Sequence, residues 1–190
     1  MTEEFEKDVE KSLEVLKQGG IILYPTDTIW GLGCDATNEA ATERIYQLKQ
    51  RPANKSFVVL VASEKDILLH IANPDLAVFE YLEQTQKPTT VIYEHALGLA
   101  ENVTAADGSV AIRICKEPFC KHLIKRFRKP IVSTSANISG SPSPQNFSQI
   151  ASEIIAGVDY VVQYRQKDAD NSTPSAIIKW RDGKPEIIRS

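Results

Sequence analysis

The chain has few of the residues from which metal sites and disulfide frameworks are built. Its 190 residues include 3 Cys and 3 His. Cys34, Cys115 and Cys120 are scattered and form no C-x-x-C pair, and the histidines lie far apart. This pattern indicates neither a disulfide framework nor a structural zinc site. We therefore expect the cysteines to fill the core, and we predict no metal ion held by protein side chains.

Long hydrophobic runs and an excess of positive charge are also missing. No apolar run approaches the roughly 20 residues that a membrane span needs, and the acidic N-terminus lacks the apolar core of a secretory signal. We expect a cytoplasmic protein that does not enter a membrane. The formal net charge of −3 argues against binding nucleic acid mainly through overall charge, although a local basic groove is compatible with it.

Two common nucleotide-binding motifs give little support for a P-loop or a dinucleotide site in this chain. The sequence contains no G-x-x-x-x-G-K-[ST], which excludes a P-loop at the level of the motif. Residues 31–36 fit the G-x-G-x-x-A pattern of dinucleotide-binding folds. In those folds the glycines lie in the first turn after a strand, whereas here they come well after the predicted strand 21–24. A dinucleotide site is therefore a poor interpretation of this segment.

Alternating helices and strands predict an α/β fold, with 42% apolar residues to fill one substantial core. We predict a single domain, residues 1–190, with a twisted mixed sheet. Helices are expected at 5–16, 37–48 (with Thr37 as N-cap), 75–83, 119–127 and 147–156, with a capping box at 63–66 opening a further helix. Strands are expected at 21–24, 57–61, 89–93, 110–114, 131–135 and 160–163, with a loop at 26–33 and a final hairpin of 175–179 and 186–189 around Asp182-Gly183.

The segment 24–33, Tyr-Pro-Thr-Asp-Thr-Ile-Trp-Gly-Leu-Gly, is followed along the chain by Lys49, Arg51 and Lys55. Glycines allow backbone N–H groups to approach a ligand closely, and the cations would offset a negative charge. The combination indicates a polyphosphate site. The alternative is structural, because a Lys-x-Arg at the end of a helix also complements the helix dipole.

Hydroxyl groups and an amide leave the apolar strand 131–135 in the run from Ser133 to Gly140. Groups at the carboxyl end of a strand lie where α/β sheets bind ligands. Ser, Asn and Gly are equally favoured in an ordinary hydrogen-bonded turn. Nothing in the sequence places a histidine beside Ser135, so we favour ligand binding over covalent catalysis.

Arg113 lies inside the apolar strand 110–114, where an unpaired charge would be costly to bury. Its partner is either a protein carboxylate or a substrate carboxylate held by the guanidinium fork. Arg189, with Ser175 on the strand predicted to face it, presents a similar case.

Taken together, these segments resemble the YrdC-like family, the threonylcarbamoyl-AMP synthases. The resemblance rests on residues 25–33, 49–52, 109–113 and 133–140, and on Ser175 with Arg189. It implies an α/β fold around an open, positively lined cavity. It also implies an enzyme that joins L-threonine, bicarbonate and ATP to give threonylcarbamoyl-adenylate and pyrophosphate, for the modification of tRNA. The chain is similar to the short form, without the extra C-terminal domain of longer members.

The resemblance implies residue roles as well. L-Threonine would contact Thr28, Arg113, Ser133 and Ser175. ATP would be surrounded by Lys49, Arg51, Lys55, Ser109, Ser135, Asn137, Ser143 and Arg189, of which Lys49, Arg51, Ser135 and Asn137 are the predicted catalytic residues. Mg²⁺ would accompany ATP. Expected partners are tRNA or double-stranded RNA and the proteins that transfer the threonylcarbamoyl group.

Two alternatives stay open. An RNA-binding module of the same fold would use the cavity cations for phosphodiesters, and the acidic net charge weighs against it. A carbamoyl-adenylate-forming relative would use an acceptor other than threonine.

Overall fold

A mixed sheet of nine strands runs through the residues that the computed structural model describes, which are 4–52, 55–169 and 172–190. The strands are β1 (Ile22–Tyr24), β2 (Gly31–Gly33), β3 (Val58–Val61), β4 (Thr89–Tyr93), β5 (Val110–Ile114), β6 (Ile131–Ser135), β7 (Tyr160–Val161), β8 (Ala176–Arg181) and β9 (Lys184–Arg189). The helices are α1 (Glu6–Lys17), α2 (Glu39–Lys49), α3 (Glu64–His70), α4 (Ala77–Gln84), α5 (Pro118–Phe127) and α6 (Ser152–Ala156). Ala53 and Asn54, in the Lys- and Arg-containing segment 49–55, lie outside the described residues.

The strand order is β7-β1-β2-β6-β3-β5-β4-β8-β9. Three neighbouring pairs are parallel: β1 with β7, β3 with β5, and β4 with β8. The other neighbouring pairs are antiparallel. Parallel pairs need crossover connections, whereas antiparallel neighbours can be joined by hairpins. The prediction of an α/β fold with a mixed sheet flanked by helices is confirmed.

The core forms where helices cover the sheet. α5 packs against α1 and β3, and the rings of Phe5 and Phe119 meet edge to face with centroids 6.1 Å apart. Cys34, Cys115 and Cys120 are all free and buried, as expected of core residues. Within the described ranges, no helix is long and apolar enough to cross a membrane.

The segment Gly31–Gly33 forms a buried strand, so the prediction of a loop there is wrong. β2 pairs with β1 on one side and with β6 on the other. A Cβ atom at Gly33 would lie 2.6 Å from Tyr24 Cε1 and 2.7 Å from the Val132 carbonyl oxygen. Glycine is therefore present because neighbouring chain segments approach closely, and not because a turn needs it.

Replacing Gly33 by Ala is expected to lower the free energy of unfolding by about 1–3 kcal/mol, as overpacking of a core does. Gly31→Ala is the matched control in the same strand, since its added Cβ would lie 3.2 Å from the Ser133 hydroxyl oxygen. The next contact, with the Thr134 carbonyl oxygen, is 3.3 Å. Shifts of a few tenths of an ångström relieve both contacts, so a smaller loss is expected. Chemical denaturation followed by circular dichroism measures both variants, and equal losses would contradict this account of Gly33.

The start of α2 also differs from the prediction. Asn38, and not Thr37, is the N-cap residue, and its side chain accepts a hydrogen bond from the backbone N–H of Ala41 at 3.0 Å. Thr37 instead donates its hydroxyl and its backbone N–H to Asp35 Oδ1, at 2.7 and 2.8 Å. Because the Asp35 side chain already holds Thr37 by these hydrogen bonds, the N-cap of α2 is the next residue, Asn38.

The single helix predicted over 147–156 is divided in two. Phe147–Gln149 is a 3₁₀ turn, and α6 begins only at Ser152. Ile150 and Ala151 between them have extended backbone angles, and this path buries the Ile150 side chain. Trp30 anchors the 3₁₀ turn through its contact with Phe147, with ring centroids 4.9 Å apart.

The remaining elements follow the prediction closely. β4, β5 and β6 have the expected bounds, and the capping box that opens α3 is present. The final hairpin is longer than expected, with β8 and β9 of six residues each. Asp182 and Gly183 both have positive φ, 49° and 70°, as the tightest hairpin turn requires.

Register brings distant residues together on one face of the sheet. Val58 of β3 pairs with Ser133 of β6 and with Ala111 of β5, and Ala111 pairs with Ile92 of β4. Paired residues lie side by side, and alternate residues of a strand share a face. Arg113, two residues after Ala111, therefore lies on the same face, next to this row.

Candidate active site

A cavity of about 340 Å³ opens on this face of the sheet. Its walls come from distant parts of the chain: the loop before β2, the segment after α2, strands β3 to β6 and the final hairpin. The volume is within the range of roughly 300–1,000 Å³ that small-molecule sites occupy. Predicted site residues that line the cavity are Thr28, Arg51, Arg113, Ser133, Ser135, Ser143, Ser175 and Arg189.

The lining of this cavity is positive. Among the residues that the structure describes, three guanidinium groups line it, those of Arg51, Arg113 and Arg189, and no carboxylate does. Hydroxyl groups lie between them. Guanidinium groups and hydroxyls together suit an anionic ligand with several oxygen atoms.

Arg113 forms a buried ion pair with Asp27. Its Nη2 and Nε lie 3.1 and 3.2 Å from Asp27 Oδ1, and the two side chains are only 5% and 10% exposed. Nη2 also donates to the Thr28 hydroxyl at 3.2 Å. The protein carboxylate is thus one partner of Arg113. Nη1 makes no hydrogen bond to the described residues, so part of the guanidinium stays available to a ligand in the cavity.

Asp27 is the residue of this site that the sequence reasoning missed. Its second oxygen, Oδ2, accepts the backbone N–H of Lys116 at 3.3 Å, so it ties the loop before β2 to the end of β5. The signal was present, since a buried Arg113 requires a carboxylate and Asp27 lies beside Thr28 in the motif 25–33.

The loop that carries Thr28 is held by short hydrogen bonds. Thr26 Oγ1 donates to the Ile29 carbonyl at 2.8 Å and accepts the backbone N–H of Thr28 at 3.0 Å. Arg165 Nη1 donates to the Thr26 carbonyl at 3.1 Å from the other side. These bonds fix the backbone of the loop, and the Thr28 hydroxyl lies 3.0 Å from the Thr26 hydroxyl.

Two serines complete the closed end of the cavity. The Ser175 hydroxyl lies 2.8 Å from the Thr90 hydroxyl, and both are buried. Ser133 is 8% exposed and faces Gly31, where a side chain would crowd its hydroxyl.

Arg51 and Arg189 lie at the open end. Arg51 donates to the carbonyl groups of Lys55 and Ser56 at 3.0 and 2.8 Å, and its guanidinium carbon lies 5.0 Å from the centre of the Phe57 ring. Arg189 donates from Nε and Nη2 to the Ser175 carbonyl, at 3.2 and 2.8 Å. Partial burial lowers the pKa of both guanidinium groups, but arginine stays charged at any physiological pH.

Lys49 lies behind the cavity wall. It is the last residue of α2 and is 1% exposed. Its ammonium group donates to the carbonyl oxygens of Ser135 and Asn137, the latter at 2.7 Å. Burial, and then the charge of Arg51, lower the pKa of Lys49 to about 7. Lys49 therefore holds the turn after β6 in place. This contact joins the end of α2 to a distant part of the chain.

Asn137 closes this turn. Its Nδ2 donates to the Ser141 carbonyl at 2.6 Å and to the Ile138 carbonyl at 3.2 Å. The run 133–140 is therefore a hydrogen-bonded turn, and Ser135 near its start lines the cavity. Ligand binding by this run stays a prediction.

Four predicted site residues do not line the cavity: Lys49, Asn137, Lys55 and Ser109. Lys49 and Asn137 support its wall. Lys55 is exposed, and its contact with the cavity lining is through its carbonyl oxygen, which accepts a hydrogen bond from Arg51. The Ser109 hydroxyl donates to Asp107 Oδ1 at 2.6 Å. A role for Lys55 and Ser109 in ligand binding stays a prediction.

The fold and cavity define an α/β protein with a guanidinium-lined site of small-molecule size. The model of the family Sua5_yciO_yrdC, described as Telomere recombination, matches residues 14–190. The chain belongs to this family.

Several known proteins are similar to the chain. A threonylcarbamoyl-AMP synthase of Saccharophagus degradans is 37% identical over 172 residues, which are 87% of this chain and 86% of that protein. E. coli YciO superposes with a TM-score of 0.83 at 21% identity, over 97% of this chain and 89% of that one. The structure of P. abyssi Sua5 complexed with L-threonine superposes with a TM-score of 0.85 at 23% identity, over 97% of this chain. The chain spans about half of P. abyssi Sua5, 54% of its length.

Asp27→Asn is expected to lower the free energy of unfolding by roughly 3 kcal/mol, because it leaves the buried charge of Arg113 without its counterion. The control is Glu14→Gln, which removes an ion pair with Lys11 whose side chains are both 61% exposed. That change should cost less than about 1 kcal/mol. Denaturant titration measures both, and similar small losses would show that water in the cavity already compensates the Arg113 charge.

Proposed function

We propose that the chain is an L-threonylcarbamoyladenylate synthase, which joins L-threonine, bicarbonate and ATP and releases pyrophosphate. Membership of the family and the 37% identical relative named threonylcarbamoyl-AMP synthase support this proposal. The guanidinium-lined cavity supports it independently, since ATP, bicarbonate and both products are anions and L-threonine carries a carboxylate.

The observation that carries the proposal is a gradient of burial along the cavity. The side chains assigned to L-threonine, Thr28, Arg113, Ser133 and Ser175, are 9%, 4%, 8% and 3% exposed. Those assigned to ATP at the cavity, Arg51, Ser135, Ser143 and Arg189, are half-buried or exposed. A closed end with hydroxyl groups suits a small amino acid, and an open end suits a larger nucleotide.

At the closed end, the free part of the Arg113 guanidinium pairs with the carboxylate of L-threonine. Asp27 holds Arg113 in place and leaves its Nη1 for this contact. The hydroxyls of Thr28, Ser133 and Ser175 supply further hydrogen bonds to the amino acid. These contacts orient the amino group of L-threonine, which is the group that reacts.

At the open end, Arg51 and Arg189 offset charge on the phosphates, and Ser135 and Ser143 supply hydroxyl contacts. Lys49 acts from behind by holding the turn that presents Ser135. Mg²⁺ enters with ATP as part of the substrate. Within the described ranges no group of three or more His, Cys, Asp or Glu side chains could hold a metal ion. In this proposal phosphate oxygens and water would supply most ligands of Mg²⁺, as is usual for Mg²⁺ that is bound with a nucleotide.

The chemistry needs no protein nucleophile. The threonine nitrogen attacks the carbon of bicarbonate, water is lost, and a carbamate forms. A carbamate oxygen then attacks the α-phosphorus of ATP, the bond to the bridging oxygen breaks, and its electron pair leaves with pyrophosphate. Arg51 and Arg189 stabilise the charge that grows on this leaving group.

The test is pyrophosphate release from ATP in the presence of Mg²⁺, with L-threonine and bicarbonate omitted in turn. Release that requires both supports the proposal. Release without L-threonine would indicate a different acceptor. No release, together with salt-sensitive RNA binding that survives saturating ATP and L-threonine, would favour an RNA-binding module.

Ser135→Ala is expected to lower kcat/KM for ATP by about 100-fold or more, the usual cost of losing a preorganised contact to developing charge. Lys49→Ala is expected to have a similar effect, because the turn that presents Ser135 loses the ammonium group that holds it. Lys17→Ala is the matched control, because Lys17 is the basic residue in the last turn of α1 and is exposed. Thermal unfolding checks that the variants are folded. Full activity in both site variants would place the nucleotide elsewhere.

The affinity for ATP is expected to weaken severalfold from about pH 7 to about pH 9, because Lys49, whose pKa burial lowers to about 7, loses its charge over this range. The phosphates of ATP are already ionised there, since their last proton leaves near pH 6. Isothermal titration calorimetry with MgATP alone measures the effect. Lys49→Met should bind more weakly but without this pH dependence, and an unchanged slope in that variant would assign it to another group.

The cellular context stays a prediction. We propose that the adenylate serves threonylcarbamoyl-adenosine formation on tRNA in the cytoplasm, through proteins that transfer the threonylcarbamoyl group.

A further inference from the structure

A second groove, of about 720 Å³, collects lysines from several elements. We call it the lysine groove; its lysines are Lys65 of α3, Lys87 between α4 and β4, Lys116 after β5, and Lys121 and Lys125 of α5. It lies on the other side of the sheet from the cavity. This follows from β5, where Ile114 lines the lysine groove and its neighbour Arg113 lines the cavity.

The lysines of the lysine groove outnumber its carboxylates, which are those of Asp27, Glu64 and Glu83. All five lysines are exposed, and none forms an ion pair within the described part of the chain, where nine other pairs are present. Like charges that converge without partners repel one another and raise the free energy of the folded state. In a chain of net charge −3, this local excess marks a surface suited to an anionic partner.

The floor of the lysine groove is apolar. The residues that line it are Ala62, Leu82, Pro88 and Ile114, and no aromatic side chain of the described part of the chain does. A surface with an apolar centre and a charged rim has the anatomy of a protein–protein interface.

Two features distinguish a protein partner from RNA. Single-stranded RNA is held mainly by stacking on aromatic rings, and the groove has none. Phosphodiesters carry a charge at every nucleotide and would meet Glu64 and Glu83, which line the groove beside the lysines. A peptide can place a carboxylate opposite each lysine and an apolar side chain on the floor.

We propose that the lysine groove is a docking surface for an acidic segment of a partner protein, in which carboxylates flank a central apolar side chain. The surface is linked to the active site through Asp27, which lines the lysine groove and also pairs with Arg113. The lysine groove therefore adjoins the residue that holds Arg113.

The test is selection of a displayed library of random linear peptides on the immobilised protein, in low salt and without substrates. Enriched peptides are expected to be rich in Asp and Glu around Leu, Ile, Met or Phe. Fluorescence anisotropy then measures the affinity of the enriched peptides in fluorescein-labelled form. Binding should weaken at least about tenfold in Lys121→Glu/Lys125→Glu and should fall with added salt, as contacts between exposed charges do.

The matched control is Lys7→Glu/Lys11→Glu, which reverses two exposed lysines at the same spacing on α1 and should leave peptide affinity unchanged. If Lys121→Glu/Lys125→Glu does not fold, as judged by circular dichroism, Lys87→Glu/Lys116→Glu replaces it. Three results would overturn the proposal: no acidic enrichment, equal binding by groove and control variants, or binding of a labelled RNA duplex in place of any peptide. Because no substrate is present, these results are independent of the proposed synthase activity.

Discussion

The buried ion pair between Arg113 and Asp27 is the constraint on which the rest of the site depends. A guanidinium that is 5% exposed must have a carboxylate beside it. β5 fixes Arg113 near the middle of the sheet, so the loop between β1 and β2 has to reach it. That loop brings Thr28 to the cavity and delivers the chain to Gly31, where β2 begins. One pair of charges thus determines the course of the chain along one wall.

Lys49 stabilises the opposite wall of the cavity. Its ammonium group connects the end of α2 to two carbonyl groups in the turn after β6. Both cations are buried and both are held by groups distant in sequence, so their positions are set by the fold. The electrostatic environment of the cavity is therefore established before a ligand enters, and little reorganisation energy is required when charge develops there.

Local pattern was sufficient for much of the fold. β4, β5 and β6 are runs of apolar and β-branched residues bounded by polar or turn residues, and their limits could be read directly. Gly31–Gly33 could not be read in this way, because its strand exists through close packing on Tyr24 and Val132, which no local propensity encodes. The helix predicted over 147–156 failed for a similar reason, since burial of Ile150 interrupts it.

The site was predictable in its composition more than in its geometry. The motifs identified the residue types that surround the cavity, and a resemblance to a family supplied their grouping. Asp27 was missed because its partner Arg113 is 86 residues away. That Lys49 supports the wall and does not line it depends on the direction of α2 relative to β6, which spacing along the chain does not reveal.

The position of Arg189 has a dynamic consequence. β9, which carries it, is the outermost strand and pairs only with β8, and Ile187 and Ile188 in it are 68% and 54% exposed. Strands at an edge with little packing separate from their neighbours at a lower free energy than central strands. The mouth of the cavity is thus bounded in part by an edge strand, while its interior rests on β3, β5 and β6. We expect local fraying of β9 to widen this mouth without disturbing the centre of the sheet, so entry to the cavity and the shape of its interior depend on different parts of the molecule.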